Sequence, residues 1–285
     1  MVSALPRNSR GFTLVEALVA MVLSTVVVML VTSVFLVQNR FYSDAMKRSG
    51  LHESVRGATA LISSDLHGVS EGGIVAADPD AVTFRSPLLM GGVCGVDGQK
   101  TYLFLPVEGG FRDAALVSGY AVKQPSSEWR YTSVPWNSVY HSSGQTAAKA
   151  CALSGADTTG AVSEFFRLDG LDASLVIQVG DLVMLYEEVE LRLAPSHLHP
   201  GSRGVFRGPM GGRLTEVATG MSGDSGFEYG LADRNDFQDR INGKGNLTRI
   251  DRVRIFLEGI APASTGGRDS LTFDLTLTVP LRNAN

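Results

Sequence analysis

The stretch that decides the fold runs from Arg10 to Val37 and reads RGFTLVEALVAMVLSTVVVMLVTSVFLV. After Arg10 it carries a single charged side chain, the carboxylate of Glu16, and residues 17–37 carry none. A helix rises about 1.5 Å per residue, so about 20 apolar residues span the roughly 30 Å hydrocarbon core of a bilayer. The stretch therefore predicts one membrane-spanning helix over residues 14–37.

Two features separate this stretch from a secretory signal peptide. Such a signal has an apolar core of about 7–15 residues followed by a small-residue cleavage site. Here the apolar run is longer, and the small residue, Gly11, precedes it. The second feature is Glu16, because a carboxylate in a membrane helix costs a few kcal/mol unless it is paired or stays at the interface. Glu16 is therefore either an interfacial acid that extends toward the headgroups or a residue with a function.

The sequence Gly11-Phe12-Thr13-Leu14-Val15-Glu16 resembles the processing site of type IV prepilins and type II secretion pseudopilins. The resemblance implies that a prepilin peptidase removes residues 1–11 as a leader, cutting between Gly11 and Phe12, and methylates the new amino terminus on Phe12. It also implies an α+β, type IV pilin-like fold. In this fold a long amino-terminal helix, half membrane-spanning and half amphipathic, packs on a carboxy-terminal antiparallel β-sheet domain.

The chemistry of Glu16 supports a role in assembly. Cleavage would create a cationic amine on Phe12 at the end of an apolar helix. Buried charges persist only when they are paired. Glu16 of one subunit is therefore expected to pair with the Phe12 amine of a neighbour and to fix the register between them. A carboxylate in the first turn is also favoured by the dipole of its own helix.

The charge pattern predicts the orientation in the membrane. Arg7 and Arg10 are the only charged side chains before Gly11, so the positive-inside rule places the leader in the cytoplasm. Everything after Val37 then lies outside, and the protein is expected to be single-pass in the inner membrane and, after assembly, part of a cell-surface pilus. Cys94 and Cys151 are the only cysteines, and both lie outside the cytoplasm. They are interpreted as a disulfide or, alternatively, as two buried thiols.

The long helix is predicted to continue beyond the membrane to His67, so that it covers residues 12–67. Apolar residues recur there at steps of three and four, which is one stripe at helical period; they are Leu51, Val55, Ala58, Ile62 and Leu66. Gly68 is the expected carboxy-terminal cap of the helix. The stripe must pack on another element, and the following sheet is the expected partner.

Residues 68–285 are predicted to form a β-rich head, with a Ser-, Gly- and Thr-rich insertion at about 106–160. The predicted strands are Ala81–Ser86, Lys100–Leu105, Leu116–Val122, Val162–Leu168, Leu175–Val179, Leu182–Ala194, Gly204–Arg207, Leu214–Thr219, Phe227–Leu231 and Ser270–Val279. A hairpin is expected at Gly180-Asp181. The segment Ile250–Leu257 fits a helix or a strand. The aromatic residues of this insertion are interpreted as a small satellite core rather than a partner surface; they are Trp129, Tyr131, Trp136 and Tyr140.

Other functional sites are weakly indicated. The loop residues Asp233, Asn235, Asp236 and Asp239 are oxygen-rich, which makes them a weak Ca²⁺ candidate, although they do not follow the EF-hand spacing. Gly223-Asp224-Ser225-Gly226 resembles a protease nucleophile segment, but no histidine–aspartate framework precedes it. We therefore predict that the protein is not an enzyme and needs no cofactor or metal. The net charge of −4 argues against nucleic acid as a partner.

The order of motifs downstream of the helix resembles the PilW-type minor pilins and the related J-type pseudopilins. These motifs include Glu188–Leu193, Gly204–Arg207, Ile250–Ile255 and Val279–Asn283. The resemblance implies a minor pilin in the priming or tip complex of a type IV pilus, with other minor and major pilins, and a tip adhesin, as partners. Two alternatives stay open. One is a type II secretion pseudopilin, and the other is a tip module that binds a ligand, in which Arg203, Arg207 and Arg213 touch DNA.

Overall fold

The computed structural model describes residues 13–98, 100–106, 116–124, 129–133, 139–142, 151, 163–169, 177–262 and 270–281. The chain divides into two compact units. The anchor unit consists of residues 1–50 and 261–271, and the head unit of residues 51–260 and 272–285. The predicted leader, with Gly11 and Phe12, lies outside the described residues.

A long helix opens the described chain. It is α1, Leu14–His67. Its residues in the anchor unit expose large apolar side chains throughout, from Leu14 to Met46. The hydroxyls of Thr25 and Ser33 donate to the carbonyls of Met21 (2.7 Å) and Leu30 (2.8 Å), so these polar groups are satisfied inside the helix. By length and composition, α1 is able to cross a membrane, as expected from the sequence.

Fourteen strands follow α1 in the described residues, and the strand pairs whose register is defined are antiparallel. They are β1 (Ile74–Asp78), β2 (Ala81–Asp97), β3 (Lys100–Pro106), β4 (Gly119–Lys123), β5 (Trp129–Ser133), β6 (Val139–Ser142), β7 (Ser163–Asp169), β8 (Leu182–Pro195), β9 (Arg203–Pro209), β10 (Thr215–Met221), β11 (Gly226–Leu231), β12 (Phe237–Gln238), β13 (Ile250–Pro262) and β14 (Ser270–Pro280). A short helix, α2 (Lys244–Leu247), lies between β12 and β13.

The two longest neighbouring strands, β2 and β8, form the spine of the sheet. Their pairing runs from Ala81 opposite Arg192 to Gly92 opposite Leu182. One edge of β8 pairs with β2, while its other neighbours are β4 near its start and β9 near its end. Pro87 lies within β2, where the register shifts between Pro87 and Leu89. A proline that would otherwise interrupt a strand is thus accommodated at an irregularity.

The main core lies between the second half of α1 and the sheet. The predicted helical stripe is confirmed, since its five residues are all at most 6 % exposed. Four of the five, from Val55 to Leu66, pack with apolar residues of early and late strands, among them Val82, Val189, Val205, Val253 and Val279. This packing of a long apolar helix on an antiparallel sheet is the expected α+β architecture.

A second core lies among β2, β3, β4, β7 and β8. It contains Val93, Leu103, Val117, Tyr120, Val122, Leu168, Val183 and Leu185. Where it is described, the predicted insertion at 106–160 contributes strands to this same sheet. Trp129 and Tyr131 pack beside Ala121, Met184 and Tyr186, so these two aromatics form the expected satellite core. Trp136 and the side chain of Tyr140 lie outside the described part of the chain.

Two local predictions are wrong, and a third is right only in part. The helix ends at His67 and Gly68 follows it, as predicted, but Gly68 does not take the left-handed conformation of a typical glycine cap. The proline ring of β2 instead lies 3.4 Å from the place of its missing Cβ. The hairpin at Gly180-Asp181 is absent from the described residues, because 177–179 are not in a strand and the turn hydrogen-bonds to Val93 of β2. Strand β2 continues eleven residues beyond the predicted end at Ser86.

Close packing of α1 on β13 gives a testable result. A Cβ at Gly259 would lie 2.6 Å from Leu51 Cδ1 and 2.7 Å from Val55 Cγ2, and both of these side chains are buried. We expect Gly259→Val to lower the free energy of unfolding by about 1–3 kcal/mol, because the helix must move away from the sheet. Chemical denaturation of the detergent-solubilised chain, followed by circular dichroism, measures this loss.

The matched control is Gly92→Val in β2. Nothing lies within 4 Å of the place of that Cβ, and the backbone there does not have a positive φ. We expect this variant to be as stable as the wild type or slightly more stable, since valine favours strands. Equal losses in the two variants would contradict the packing argument.

Candidate functional site at the start of the long helix

The start of α1 has the sequence of a capping box and its N-cap contact, while the glutamate accepts from the threonine hydroxyl. Thr13 precedes the first helical residue, Leu14, and Ala17 N donates to Thr13 O at 3.1 Å. The backbone N–H of Glu16 donates to Thr13 Oγ1 at 3.3 Å, and the Thr13 hydroxyl donates to Glu16 Oε2 at 3.4 Å. A threonine at the cap with a glutamate three residues later is the sequence pattern of this motif.

The carboxylate of Glu16 stands in apolar and exposed surroundings. Leu14 and Val15 are 82 % and 70 % exposed, and Glu16 is exposed as well. In the described part of the chain, no salt bridge reaches Glu16. A carboxylate on an apolar surface, held only by a neighbouring hydroxyl, is suited to pair with a cation from another molecule.

The comparison with known families concerns this same segment. A model of the family described as "Prokaryotic N-terminal methylation motif" matches residues 6–32. This match supports a type IV pilin-like protein. The motif implies processing by a prepilin peptidase and assembly with other pilins, and proteins that carry it are structural subunits rather than enzymes. It also fits a membrane-anchored chain. The chain matches no curated protein and no solved structure.

The cysteines meet in the head unit. Cys94 of β2 and Cys151 are joined by a disulfide, with the Cα atoms 4.7 Å apart. Both cysteines are buried, and they pack against Tyr102 and Phe104 of β3. The bond therefore ties a residue of the spine to a segment 57 positions later in the chain.

The loop proposed as a weak Ca²⁺ candidate is exposed, and its first carboxylate is paired. Asp233 contacts Arg249 at 2.6 Å, and Asn235, Asp236 and Asp239 are exposed. Among the described residues, no group of three or more His, Cys, Asp and Glu side chains is placed to hold a metal. Strand β12 separates Asp239 from the other three residues, so the four do not share one loop, and they do not form the cluster that a metal site requires.

The protease-like segment and two of the arginines considered for DNA contact are bonded to other parts of the head. Ser225 is buried, and its hydroxyl bonds to the backbone of Glu258, donating to the carbonyl at 3.2 Å and accepting from the N–H at 3.0 Å. Of the three arginines considered for DNA contact, Arg203 binds Asp80 at 2.7 Å and Arg207 binds Asp65 at 2.7 Å. These two guanidinium groups hold the head together and are not an open basic patch.

The sequence interpretation missed the clamp between α1 and β9. Arg207 holds Asp65 with two hydrogen bonds, from Nε to Oδ2 and from Nη2 to Oδ1. The hydrogen bond to Asp65 raises the pKa of Arg207, so the guanidinium remains charged. No local pattern could reveal this pair, because its members are 142 residues apart in the chain.

Glu187 lies beside this clamp and gives the head a pH dependence. Burial raises the pKa of Glu187 above its usual value, Asp65 adds to the rise, and Arg207 opposes it. A carboxyl group whose pKa is raised by folding stabilises the folded state fully only below its unfolded pKa, which is about 4.3 for glutamate. This stabilisation is lost as the pH rises through the pKa of the folded state. We therefore expect Glu187→Gln to be more stable than the wild type at pH 7.

Melting temperatures measured between pH 4 and pH 8 test this expectation. The difference between Glu187→Gln and the wild type should be smallest at pH 4 and should grow toward pH 7. Glu53→Gln, at an exposed position of α1, is the matched control and should show no such trend. A difference that shrinks as the pH rises would contradict the stated sign.

Proposed function

We propose that this protein is a minor pilin, a structural subunit of a type IV pilus that acts in the priming or tip complex and is needed for pilus assembly. One observation carries the proposal. The methylation-motif match at residues 6–32 coincides with an exposed apolar helix of membrane length in which Glu16 is the only charged residue from 14 to 37. The partners are a prepilin peptidase, the other minor and major pilins, and a tip adhesin.

The proposed processing follows from the motif. The peptidase cuts between Gly11 and Phe12 on the cytoplasmic side, and Phe12 receives the methyl group. The leader is residues 1–11, the helix covers 12–67 with the membrane-spanning part at about 14–37, and the head covers 68–285. Before assembly the helix lies in the inner membrane with the head outside the cytoplasm. Glu16 then pairs with the Phe12 amine of a neighbouring subunit.

The size of the head supports a place at the tip. A fourteen-stranded sheet on the described residues is a large domain to repeat at every position of a dense helical array. A PilW-type role, in which few copies start or cap the filament, suits such a head. The same membrane helix and charge pairing also serve the pseudopilin of a type II secretion system, so the experiment must separate the two.

Mass spectrometry of the amino-terminal peptide, taken from filaments sheared off the cell surface, tests the proposal. A peptide that begins at N-methylated Phe12 in the sheared fraction is the expected result. A processed peptide found only in membranes, with secretion lost and pili retained in a deletion strain, would instead favour the secretion pseudopilin. An uncut chain that begins at Met1 would overturn the pilin proposal. Gly11→Val serves as the uncut reference, because a branched side chain replaces the small residue before the cut.

A further inference from the structure

Thr13 makes two contacts with Glu16, and one of them goes beyond helix capping. Thr13 Oγ1 accepts from the Glu16 N–H at 3.3 Å, and the hydroxyl donates to Glu16 Oε2, with the two oxygens 3.4 Å apart. Capping requires only the first contact, the acceptor for a backbone N–H of the first turn. The second contact is made to the side chain and is available because a hydroxyl is both donor and acceptor.

The second contact matters because of where Glu16 lies. Its neighbours Leu14 and Val15 are exposed apolar side chains, and the helix that begins here is able to enter a bilayer. A carboxylate in such surroundings is costly unless it is hydrogen-bonded or paired. Within the described residues, Thr13 supplies the one side-chain hydrogen bond to that carboxylate. The hydroxyl thereby reduces the cost and also limits the rotamers of Glu16.

We infer that Thr13 is a positioning residue for Glu16. In the processed but unassembled subunit, the Thr13 hydroxyl holds the carboxylate back toward the start of its own helix. In the proposed function, the group that binds this carboxylate is the Phe12 amine of a neighbouring chain. The cation of the neighbour then binds a carboxylate whose orientation is already set, so less side-chain entropy is lost on assembly. This inference rests on the proposed pilin function.

Other membrane hydroxyls provide the contrast. Thr25 and Ser33 donate to backbone carbonyls of their own helix, at 2.7 Å and 2.8 Å, and reach no charged group among the described residues. Thr25 is therefore a matched control for the loss of a threonine hydroxyl in the same helix. If polarity alone mattered, Thr13 and Thr25 would be equivalent.

The experiment compares full-length Thr13→Val, Thr13→Ser and Thr25→Val in cells that assemble filaments, each with and without Glu16→Gln. The mass of the amino-terminal peptide reports processing, and the sheared fraction reports incorporation. We expect Thr13→Val to be processed normally and to fall about fivefold to tenfold in filaments. Thr13→Ser and Thr25→Val should stay near wild type. In the Glu16→Gln background, Thr13→Val should cause little further loss, because it acts through the carboxylate.

Several outcomes would overturn the inference. They are unchanged incorporation of Thr13→Val, a loss in Thr13→Ser as large as in Thr13→Val, an undiminished loss in the Glu16→Gln background, and a block in cleavage. The last would place Thr13 in peptidase recognition instead. Failure of the proposed function looks different, because wild-type protein would then be uncut or missing from sheared filaments. In that case, the side-chain coupling constants of Glu16 in micelles still test the contact with the carboxylate. Thr13→Val should broaden the rotamer distribution of Glu16, whereas Thr13→Ser should not.

Discussion

Glu16→Ala is expected to be cleaved after Gly11 as efficiently as wild type and then to fall at least tenfold in sheared filaments. The physical reason lies in the Phe12 amine that cleavage creates. Packing apolar helices together buries that amine, and removing its partner leaves a buried charge unpaired. Breaking a buried ion pair costs about 3–5 kcal/mol. A change of about 1.4 kcal/mol is already tenfold in an equilibrium, so tenfold is a lower bound.

The measurement is the ratio of the processed peptide in the sheared fraction to that in membranes. Glu53→Ala is the matched control, since it removes a glutamate from the same helix at an exposed position. Glu16→Gln, which retains hydrogen bonding but not charge, should fall between alanine and wild type. Incorporation of Glu16→Ala at the wild-type level would defeat the pairing argument while leaving the cleavage site intact.

Removing the disulfide is the second change with a large expected effect. The double variant Cys94→Ala, Cys151→Ala should lose about 4 kcal/mol of unfolding free energy, because the bond closes a long loop and restricts the unfolded chain. The segment between the two cysteines includes β3 to β6, and β4 and β6 pair with strands outside that segment, β8 and β7. The bond therefore stabilises pairings that join distant parts of the chain.

Urea denaturation of the detergent-solubilised protein measures this loss as a lower midpoint. Oxidised wild type is the reference, and wild type reduced while unfolded should match the double variant. Because both cysteines are buried, the native protein should resist reduction by a thiol in the absence of urea. Equal midpoints for the double variant and the oxidised wild type would show that the bond does not stabilise the fold.

The sequence predicted the helix well because its signals are local. A membrane-length apolar run and a stripe at helical period both depend on residues close together in the chain, and the buried face from Leu51 to Leu66 agrees with the structure. The strand at Ser270–Pro280 was equally clear, since its side chains alternate. The spacing of Thr13 and Glu16 is also that of a capping box, although from the sequence we used Glu16 only to predict intermolecular pairing.

Strand partners could not be read in the same way. The pattern around Gly180-Asp181 predicted a local hairpin, yet β8 pairs with β2, β4 and β9, which come from before and after it in the chain. The predicted strand ended at Ser86, whereas pairing with β8 carries β2 on to Gly92 and pairing with β3 carries it on to Asp97. Long-range pairing overrides the local propensity of single residues.

By itself, the sequence determined that this protein has a membrane-length helix with one carboxylate and a methylation motif, because these properties reside in consecutive residues. The tertiary structure alone decided how the head is held together. It brought Asp65 to Arg207, placed Gly259 under Leu51 and Val55, and seated Ser225 on the backbone of Glu258. Each of these contacts joins residues more than thirty positions apart, and only a packed core defines which distant residues become neighbours.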